Sequence, residues 1–553
     1  MNFKNTQDID DTTSIKYKSI YAVCILFLCF IGYKWQGNLS VYMDILAADE
    51  AEYLRNGTAL FNTIHKDWGP SYNIWYKLLS YFTHSKLELY YLNYKLTAIL
   101  AAVLLFVVLE RFKIQLIIAF FIACLFFFSS LNIETWPRVS HFVFICILLG
   151  LYLSSFIKDN VAKLFLFAAV SIIAAYARPE IRPFSFALYA LALVVWYFNK
   201  TPFAKTGTAF IAAFILLIFF QWIFGAPASF YRGNVDRMYI AFCQHVAVNE
   251  FLHHDKTVDA MAGWRVYANK VFPLCDTFSC IIKTYPLAVL KNIGYNIPNY
   301  FLTLTTVLGS FLFPVVVLKK HKIFIGVCVI MWLFIVLSLF YKPFRQALFA
   351  ALKRYKWQFI SVTIIGLPSM LTSILIFPRL HYLLCHIFIF IFVLSFLLSQ
   401  VVRKINLPLF SIFPLMILMY FISPKANNYK YFSDNHDLGN LCGQKYVQYF
   451  NKDSNNRHVI FSDILNLSYM LPNNYADYSV EYDFKKGMKF DSIRNKFNID
   501  IVLVNENILK NPYLKQDSTW WNFLTNYQQF GFDKKQVYNE CNIYILTKNN
   551  TLK

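Results

Sequence analysis

The sequence predicts an α-helical polytopic membrane protein with a small soluble α/β domain at its C-terminal end. Hydrophobic residues make up 58% of the 553 positions and charged residues only 15%, whereas soluble globular chains carry roughly 25% charge. Apolar runs long enough to cross a bilayer as helices recur between Ile20 and Ile422. After about Pro424, short apolar groups alternate with polar residues, which is typical of a soluble domain.

The apolar runs predict about twelve transmembrane helices by the length criterion. We expect them at 17–35, 89–109, 114–131, 139–157, 161–176, 184–198, 207–224, 300–318, 323–341, 357–376, 380–399 and 407–423. The first run ends at Tyr33-Lys34-Trp35 without a small-residue cleavage site, so we expect it to be retained rather than removed as a signal peptide.

Basic residues in the short loops predict the orientation, because such residues accumulate on the cytoplasmic side. The residues concerned are Arg111, Lys113, Lys158, Lys163, Lys200, Lys205, Arg403 and Lys404. They predict an inner (plasma) membrane protein with a cytoplasmic N-terminus and with external loops at 36–88 and 225–299. Twelve crossings would leave residue 424 inside. The cytoplasmic Arg403 and Lys404, which precede the last span, instead place residue 424 outside. A short or re-entrant piece within 342–356 is therefore expected to make thirteen crossings. The C-terminal domain would then be external, or periplasmic.

The net charge of +21 does not favour nucleic acid as a partner. No basic cluster lies on a soluble fold, and much of the Lys and Arg lies in short loops between apolar runs, as the positive-inside rule predicts. We therefore divide the chain into a transmembrane domain at 1–424 and a soluble domain at 425–553.

Short apolar groups predict the secondary structure of the C-terminal domain. We expect strands at His458–Ser462, Ile499–Val504 and Asn542–Leu546, and helices at Lys489–Phe497 and Trp520–Phe530. The resulting length of about 125 residues is ordinary for one domain.

The cysteines of the sequence do not decide whether the C-terminal domain contains a disulfide. Most of the eleven cysteines lie inside apolar runs, where they serve as small buried hydrophobes. Cys442 and Cys541 are the only ones in the C-terminal domain. A disulfide between them and two unpaired thiols are both compatible with the sequence.

The first predicted external loop contains four carboxylates within nine residues, directly after a membrane span: Asp44, Asp49, Glu50 and Glu52. Acidic residues near the membrane plane are costly unless they are paired or functional. Composition alone favours a simpler interpretation, because Asp and Glu also stabilise the first turn of a helix.

The Asp49-Glu50 pair, followed by Tyr53, resembles the acidic motif of the GT-C superfamily of polyprenyl-linked glycosyltransferases. That family includes protein O-mannosyltransferases and the enzymes that add aminoarabinose to lipid A. The resemblance implies that Asp49 is the catalytic carboxylate, that Glu50 assists or orients it, and that Tyr53 lines the same cleft.

Other segments resemble further elements of that family. The stretch from Trp68 to Tyr76 resembles the segment that leads back to the membrane, which implies a cleft-lining Tyr72. Relatives place a Lys directly before the Pro of this segment to hold the lipid phosphate; Gly69 stands there in this chain, and Lys66 is the nearest base. In Glu134-Thr-Trp-Pro-Arg138, the resemblance implies a supporting acid at Glu134 and a phosphate contact at Arg138.

Two later motifs complete the resemblance. Ala177-Arg-Pro-Glu180 is similar to an Arg-Pro-Glu element of the family, which implies that Arg178 and Glu180 line the cleft. Phe377-Pro-Arg-Leu-His-Tyr382 is similar to a Pro-Arg-Tyr element at the external end of a late span, which implies that Arg379 binds the donor phosphate.

The resemblance implies transfer of a sugar from a polyprenyl-phosphate-linked donor to a lipid, glycan or protein acceptor. A carboxylate would remove the acceptor proton, and direct displacement would invert the anomeric carbon. Some members of the family use a divalent cation and others do not. Asp49 is a candidate ligand, as is the set Glu250, His253 and His254 at helical spacing, although a solvated helix face explains that set better.

Two other functions remain open. A transporter or flippase of lipid-linked sugars predicts paired charges in mid-span and repeated halves. The sequence shows no repeated halves, and its spans are mostly free of charge, with Lys95 near the outer end of its span as an exception. A non-catalytic assembly factor of the same architecture predicts that Asp49 is dispensable.

Overall fold

The three-dimensional structure is a computed structural model, and it describes most of the chain. The described residues are 15–37, 39–45, 48–60, 69–133, 137–225, 231–232, 235–258, 264–310, 321–405, 407–423, 442–450, 457–464, 466–472, 474–480, 484, 487–538 and 543–549.

Helices dominate the described residues. In chain order they are α1 (Ile15–Gln36), α2 (Leu39–Tyr42), α3 (Ala48–Thr58), α4 (Pro70–Leu79), α5 (Lys86–Arg111), α6 (Leu116–Phe128), α7 (Ser130–Ile133), α8 (Val139–Ser154), α9 (Asn160–Ala177), α10 (Arg182–Asn199), α11 (Phe203–Phe224), α12 (Arg237–His253), α13 (Trp264–Val271), α14 (Phe278–Thr284), α15 (Pro286–Ser310), α16 (His321–Phe340), α17 (Lys342–Arg354), α18 (Lys356–Leu375), α19 (Leu380–Ile405), α20 (Ile412–Ile422), α21 (Cys442–Phe450), α22 (Leu467–Met470), α23 (Phe490–Phe497), α24 (Glu506–Lys510), α25 (Pro512–Lys515) and α26 (Ser518–Thr525).

Short 3₁₀ turns and seven strands complete the structure. The 3₁₀ turns are Pro179–Ile181, Leu409–Ser411 and Tyr527–Phe530. The strands are β1 (Tyr231–Arg232), β2 (Val235–Asp236), β3 (His458–Ser462), β4 (Tyr475–Ser479), β5 (Ile501–Val504), β6 (Phe532–Tyr538) and β7 (Ile543–Lys548).

Among the described residues, seven helices are long and apolar enough to cross a membrane, or up to eight if a bent pair forms one span. Three shorter apolar helices, α6, α8 and the Leu409–Ile422 segment, accompany them. The helices indicate a multi-pass membrane protein, as predicted, and they coincide with the apolar runs of the sequence to within a few residues. The finer prediction of twelve or thirteen crossings is not tested by these helices.

The chain divides into two compact units. The first comprises Met1–Leu39, Tyr94–Pro227 and Asn296–Asn428. Its helices α10 and α11 expose large apolar side chains, including Trp222 at 82%, which is the pattern expected of lipid-facing surfaces.

Two of the predicted basic loop residues, Lys113 and Arg403, meet at one end of this first unit. The Arg403 guanidinium donates a hydrogen bond to the Lys113 carbonyl at 2.9 Å, and the Tyr17 hydroxyl donates to the Glu110 carboxylate at 3.0 Å. The start of α1, the end of α5 and the end of α19 therefore share one end of the helical unit.

Helix α17 lies within the segment where an additional short or re-entrant piece is predicted. It is bent by 95° from the preceding helix. Pro343 explains the break, because proline lacks the N–H that would continue α16 but is accommodated in the first turn of a new helix. Helix α15 shows the opposite effect: it begins at Pro286 and continues through Pro298, so it starts before the predicted end of the external loop at 299.

The second unit joins Ser40–Asn93, Ala228–Tyr295 and Tyr429–Lys553. It therefore combines the two predicted external loops with the C-terminal segment. Cys275 and Cys280 form a disulfide in this unit, and Cys442 is also disulfide-bonded. Because Cys541 lies outside the described residues, its pairing with Cys442 stays a prediction.

The C-terminal segment forms a five-stranded sheet of order β4-β3-β5-β7-β6. Strand β3 pairs in parallel with β4 and β5, and β7 pairs antiparallel with β5 and β6. Its core is aromatic: the rings of Phe461, Trp520 and Phe523 lie 4.8–4.9 Å from the ring of Phe490, centroid to centroid. The small sheet domain is confirmed, and β4 and β6 are strands that the sequence did not predict.

A glycine sets the distance between α3 and α4. A Cβ atom added at Gly57 would lie 2.8 Å from the Asn73 carbonyl oxygen and closer still to the Tyr76 side chain. Real Cβ atoms are not found so near a backbone oxygen, so the two helices can approach only because residue 57 has no side chain.

We predict that Gly57→Ala destabilises the protein by about 1–3 kcal/mol, the usual cost of overpacking. The measurement is thermal unfolding of the purified protein in detergent. Gly294→Ala is the matched control, because Gly294 lies in helix α15 and a Cβ there would meet nothing within 4 Å. The control should gain up to about 1 kcal/mol from helix propensity. Equal melting temperatures for the two variants would contradict the close approach.

Candidate functional site

The acidic segment forms helix α3, directly after the first apolar helix and the short α2. Asp49 and Glu50 occupy its first turn and Arg55 its last. This arrangement suits the helix dipole, which favours negative charge at the N-terminal end and positive charge at the C-terminal end. For Asp49 and Glu50, the interpretation as residues that stabilise the first turn of a helix therefore agrees with the local structure.

Glu50 is the most constrained of the four carboxylates. It is 2% exposed, and its Oε1 atom accepts hydrogen bonds from the Tyr72 hydroxyl at 2.6 Å, the Tyr76 hydroxyl at 2.5 Å and the Asn93 amide at 3.0 Å. A buried carboxylate loses its hydration and is tolerated only where donors replace the water. The three donors come from α4 and α5, so this one oxygen joins three helices.

The donors around Glu50 are themselves fixed. The Asn93 amide nitrogen also contacts the hydroxyls of Tyr72 and Tyr76 at 2.7 and 2.9 Å, and its oxygen accepts from the Trp75 indole at 2.8 Å. Burial and the adjacent Glu50 carboxylate raise the pKa of Tyr76 well above its usual value. Tyr76 therefore keeps its proton and remains a donor at any physiological pH.

Asp49 precedes Glu50 in the same turn and is half-buried rather than enclosed. Tyr53, one helical turn further on, is buried, and its ring packs edge-on against Tyr72 at 5.1 Å between centroids. The structure thus brings Glu50, Tyr53 and Tyr72 together. The assignment of Tyr53 and Tyr72 to a substrate cleft stays a prediction.

Asp44 binds the C-terminal segment. Its two carboxylate oxygens accept hydrogen bonds from the backbone N–H groups of Gly443 at 2.7 Å and Gln444 at 2.8 Å, at the start of α21, and from that of Ile45 at 2.8 Å. Burial raises the pKa of Asp44, and the three N–H groups oppose the rise because they favour an unprotonated acceptor. Gln444 in turn donates to the Ser40 and Met43 carbonyls.

Two further contacts attach the same loop to the C-terminal segment. The Arg55 guanidinium lies 4.1 Å from the centre of the Tyr469 ring, and the Lys86 ammonium donates to the Leu471 carbonyl. Helix α22, which lies between these two partners in sequence, packs against α3. The helix that carries Asp49 is therefore supported by residues far along the chain.

Gly69 explains one departure from the family pattern. It adopts a left-handed conformation with φ of 49° immediately before Pro70, which opens α4. Glycine accepts this conformation without strain, whereas a lysine at this position would be strained. Lys66, the alternative base for the donor phosphate, lies outside the described residues.

Within the first unit, Arg178 is the centre of a buried polar group. It donates to Glu180 at 2.6 Å from Nε and to the Ser140 hydroxyl at 2.6 Å from Nη1, and its guanidinium lies 4.6 Å from the centre of the Tyr382 ring. The Ala177–Glu180 motif and the Phe377–Tyr382 motif, which are distant in sequence, therefore meet at this arginine.

Arg138 lies two residues before Ser140 and is completely buried. It donates to the Thr97 hydroxyl at 3.1 Å and to the Asn132 carbonyl at 2.7 Å, and it lies 4.4 Å from the centre of the Tyr94 ring. Arg379, by contrast, is exposed. Glu134 lies outside the described residues, so its predicted role as a supporting acid is not tested.

The described part of the chain contains no group of three or more His, Cys, Asp or Glu side chains that could hold a metal ion. In the His253-His254 segment, the His253 ring stacks on Tyr295 at 4.7 Å, and His254 Nε2 forms a hydrogen bond with the Tyr295 hydroxyl at 2.5 Å. Both histidines therefore contact the same aromatic residue, which is consistent with a structural role for them.

Sequence reasoning missed Tyr76, Asn93 and the Gly443-Gln444 pair. For Tyr76 a signal was present, because residues four apart on a helix share one face and Tyr72 had already been singled out. Asn93 and the Gly443 N–H group gave no local signal.

Comparison with known proteins identifies no family: no family model matches the chain, and no curated protein matches it either.

We predict that Asp44→Ala releases the start of α21. Hydrogen bonds to a charged acceptor contribute about 1.5–3 kcal/mol each, so amide hydrogen exchange at Gly443 and Gln444 should accelerate at least tenfold. Hydrogen exchange with mass spectrometry of the full chain in detergent measures this. Asp491→Ala is the control, since Asp491 pairs locally with Arg494 and its loss should leave these two amides unchanged. Unchanged exchange in Asp44→Ala would rule out the anchoring role.

Proposed function

We propose that this chain is a membrane glycosyltransferase of the GT-C type. It would transfer a sugar from a polyprenyl-phosphate-linked donor to a lipid, glycan or protein acceptor on the external face of the inner membrane, with Asp49 as the base. The observation that carries the proposal is helix α3, where a half-buried Asp49 adjoins a Glu50 held by three donors, just beyond the first apolar helix.

The contacts favour Asp49 over Glu50 as the base. The acceptor hydroxyl must lose its proton as it attacks the anomeric carbon, and a base has to reach that proton within hydrogen-bond distance. Oε1 of Glu50 already accepts three hydrogen bonds, and the side chain is 2% exposed, so an acceptor hydroxyl has little access to it. Asp49 is half-buried and so accessible from one side. Glu50 is best described as a positioning residue that fixes the turn on which Asp49 lies.

The leaving group is a phosphate on a lipid carrier, and cations stabilise the charge that develops on it. Arg138, Arg178 and Arg379 are the candidates among the described residues. Arg178 is already paired with Glu180, which suits a residue that shapes a cleft, whereas Arg379 is exposed and is the contact residue that we propose for the phosphate.

The proposal includes no step through a divalent cation. The described residues supply no set of three acidic, histidine or cysteine ligands, and Oε1 of Glu50 is occupied by its own donors.

The disulfide chemistry of the second unit supports an external position for its loops. Disulfides persist in oxidising compartments and are rare in the cytosol. Cys275, Cys280 and Cys442 are all disulfide-bonded, and all lie in the segments predicted to be external.

We predict that Asp49→Asn abolishes transfer, with a loss of about 100- to 10,000-fold, the usual contribution of a general base. A deletion strain, the wild type and Asp49→Asn at matched protein level would be compared by mass spectrometry of polyprenyl-phosphate sugars and envelope glycans. The exposed Glu88 supplies a control, Glu88→Gln, which should behave as wild type.

The pattern across these strains decides between the three functions. If the deletion and Asp49→Asn accumulate the same lipid-linked sugar and lose the same glycan, the enzyme proposal stands and donor and acceptor are identified. If only the deletion changes, Asp49 performs no chemistry, and an assembly factor or a flippase becomes the better description.

We further predict that Arg379→Gln raises the KM for the lipid-linked donor by about fivefold and leaves kcat nearly unchanged. An exposed ion pair contributes up to ~1 kcal/mol, and the loss of such ground-state contact appears in KM alone. Steady-state kinetics in detergent with the identified donor measures both constants. Lys489→Gln, which removes an exposed cation elsewhere, is the control. A drop in kcat with constant KM would instead assign Arg379 to the transition state.

A further inference from the structure

Helix α17 is amphipathic and strongly basic. The segment from Lys342 to Lys356 contains five basic residues and no acidic one. All five, Lys342, Arg345, Lys353, Arg354 and Lys356, are exposed. Leu348, in the middle of the helix, is buried.

The helix lies across one end of the first unit. At its start, the Lys404 ammonium lies 4.8 Å from the centres of the Tyr341 and Phe344 rings. Just beyond its end, Tyr355 stacks on Phe112 at 4.5 Å. Both contacts are made at the end where Arg403 binds the Lys113 carbonyl, and the 95° bend turns α17 away from the direction of the preceding helix.

A large apolar side chain accompanies the basic residues. Phe349 is 61% exposed and lies four residues from both Arg345 and Lys353, so the three share one face of the helix. An exposed aromatic ring between cations is unfavourable in water. It is favourable at a membrane interface, where the ring enters the headgroup region and the cations meet lipid phosphates.

From the charge, the bend and the exposed ring, we propose that α17 is an interfacial helix that binds anionic phospholipid headgroups through Lys342, Arg345, Lys353 and Arg354, with Phe349 inserted between them. The partner is a lipid surface rather than a protein, because the helix lies at the boundary end of a bundle of apolar spans and carries no acidic residue. Each basic residue near an anionic surface adds favourable attraction that salt screens. The proposal is independent of any catalytic role.

The first test measures the thermal unfolding of the full chain in nanodiscs of phosphatidylcholine and in nanodiscs that also contain phosphatidylglycerol. Wild type should melt higher in the anionic discs, and the difference should shrink at high salt. A variant with Lys342, Arg345, Lys353 and Arg354 all changed to Gln should lose most of that difference.

The matched control removes four exposed lysines of the second unit: Lys489, Lys496, Lys515 and Lys548, all changed to Gln. It alters the net charge by the same amount, so it separates a local effect of α17 from a general effect of charge. The control should retain the wild-type difference between the two kinds of disc. An equal loss in both variants, or no preference in wild type, would overturn the proposal.

A second measurement does not depend on stability. In Phe349→Trp, lipids brominated on their acyl chains should quench the added fluorescence, measured against wild type as background. Brominated phosphatidylglycerol should quench more than brominated phosphatidylcholine. Absence of quenching by both lipids would place Phe349 in water and favour an acidic protein partner, which would also overturn the proposal.

Discussion

The hydrogen bonds to Glu50 are the interaction on which the arrangement of α3, α4 and the start of α5 depends. A carboxylate that is removed from water costs several kcal/mol unless donors replace its hydration. Here two phenols and an amide do so at a single oxygen. Because the donors belong to α4 and α5, satisfying one charge fixes the relative positions of three helices. The absence of a side chain at Gly57 allows the approach that these hydrogen bonds require.

The four carboxylates of one short segment have different roles because their surroundings differ. Asp44 caps the start of α21, Glu50 is held by its three donors, and Glu52 is buried. Asp49 alone among them is half-buried. In the sequence the four residues are indistinguishable, because they are neighbouring carboxylates. In the structure their burial and their contacts distinguish them. Asp49, for which we propose the chemistry, is thus surrounded in sequence by carboxylates such as Asp44 and Glu50 that have structural roles.

Patterns that repeat over many residues made the architecture predictable. A run of apolar residues must become a helix in a bilayer, since no other element satisfies its own backbone, and the predicted spans agree with α1, α5, α9, α18 and α19 to within a few residues. The span predicted at 300–318 starts 14 residues later than α15, which begins at Pro286 and passes through Pro298. Strand β6 was not predicted because Asp533, Lys534 and Lys535 make its sequence as polar as a loop. These residues are tolerated because β6 lies at the edge of the sheet.

The site was predictable only where a local motif carried it. Asp49, Glu50 and Tyr72 lie in recognisable segments, and the meeting of Arg178 with Tyr382 joins two of them. Asn93 and Gly443 could not be found in this way, because their importance comes from long-range contacts with no local signature. Lys66 and Glu134 lie outside the described residues, so their roles stay predictions.

The contact between Asp44 and Gln444 has a consequence for the order of synthesis. The two residues are 400 positions apart, and a ribosome adds about 5–20 residues per second, so the acidic segment emerges roughly 20–80 seconds before its cap partner exists. During that interval the carboxylate must remain hydrated or be held by another factor. Completion of the acidic loop is therefore a late event, and shortened chains that end before α21 would carry the acidic helix without its support.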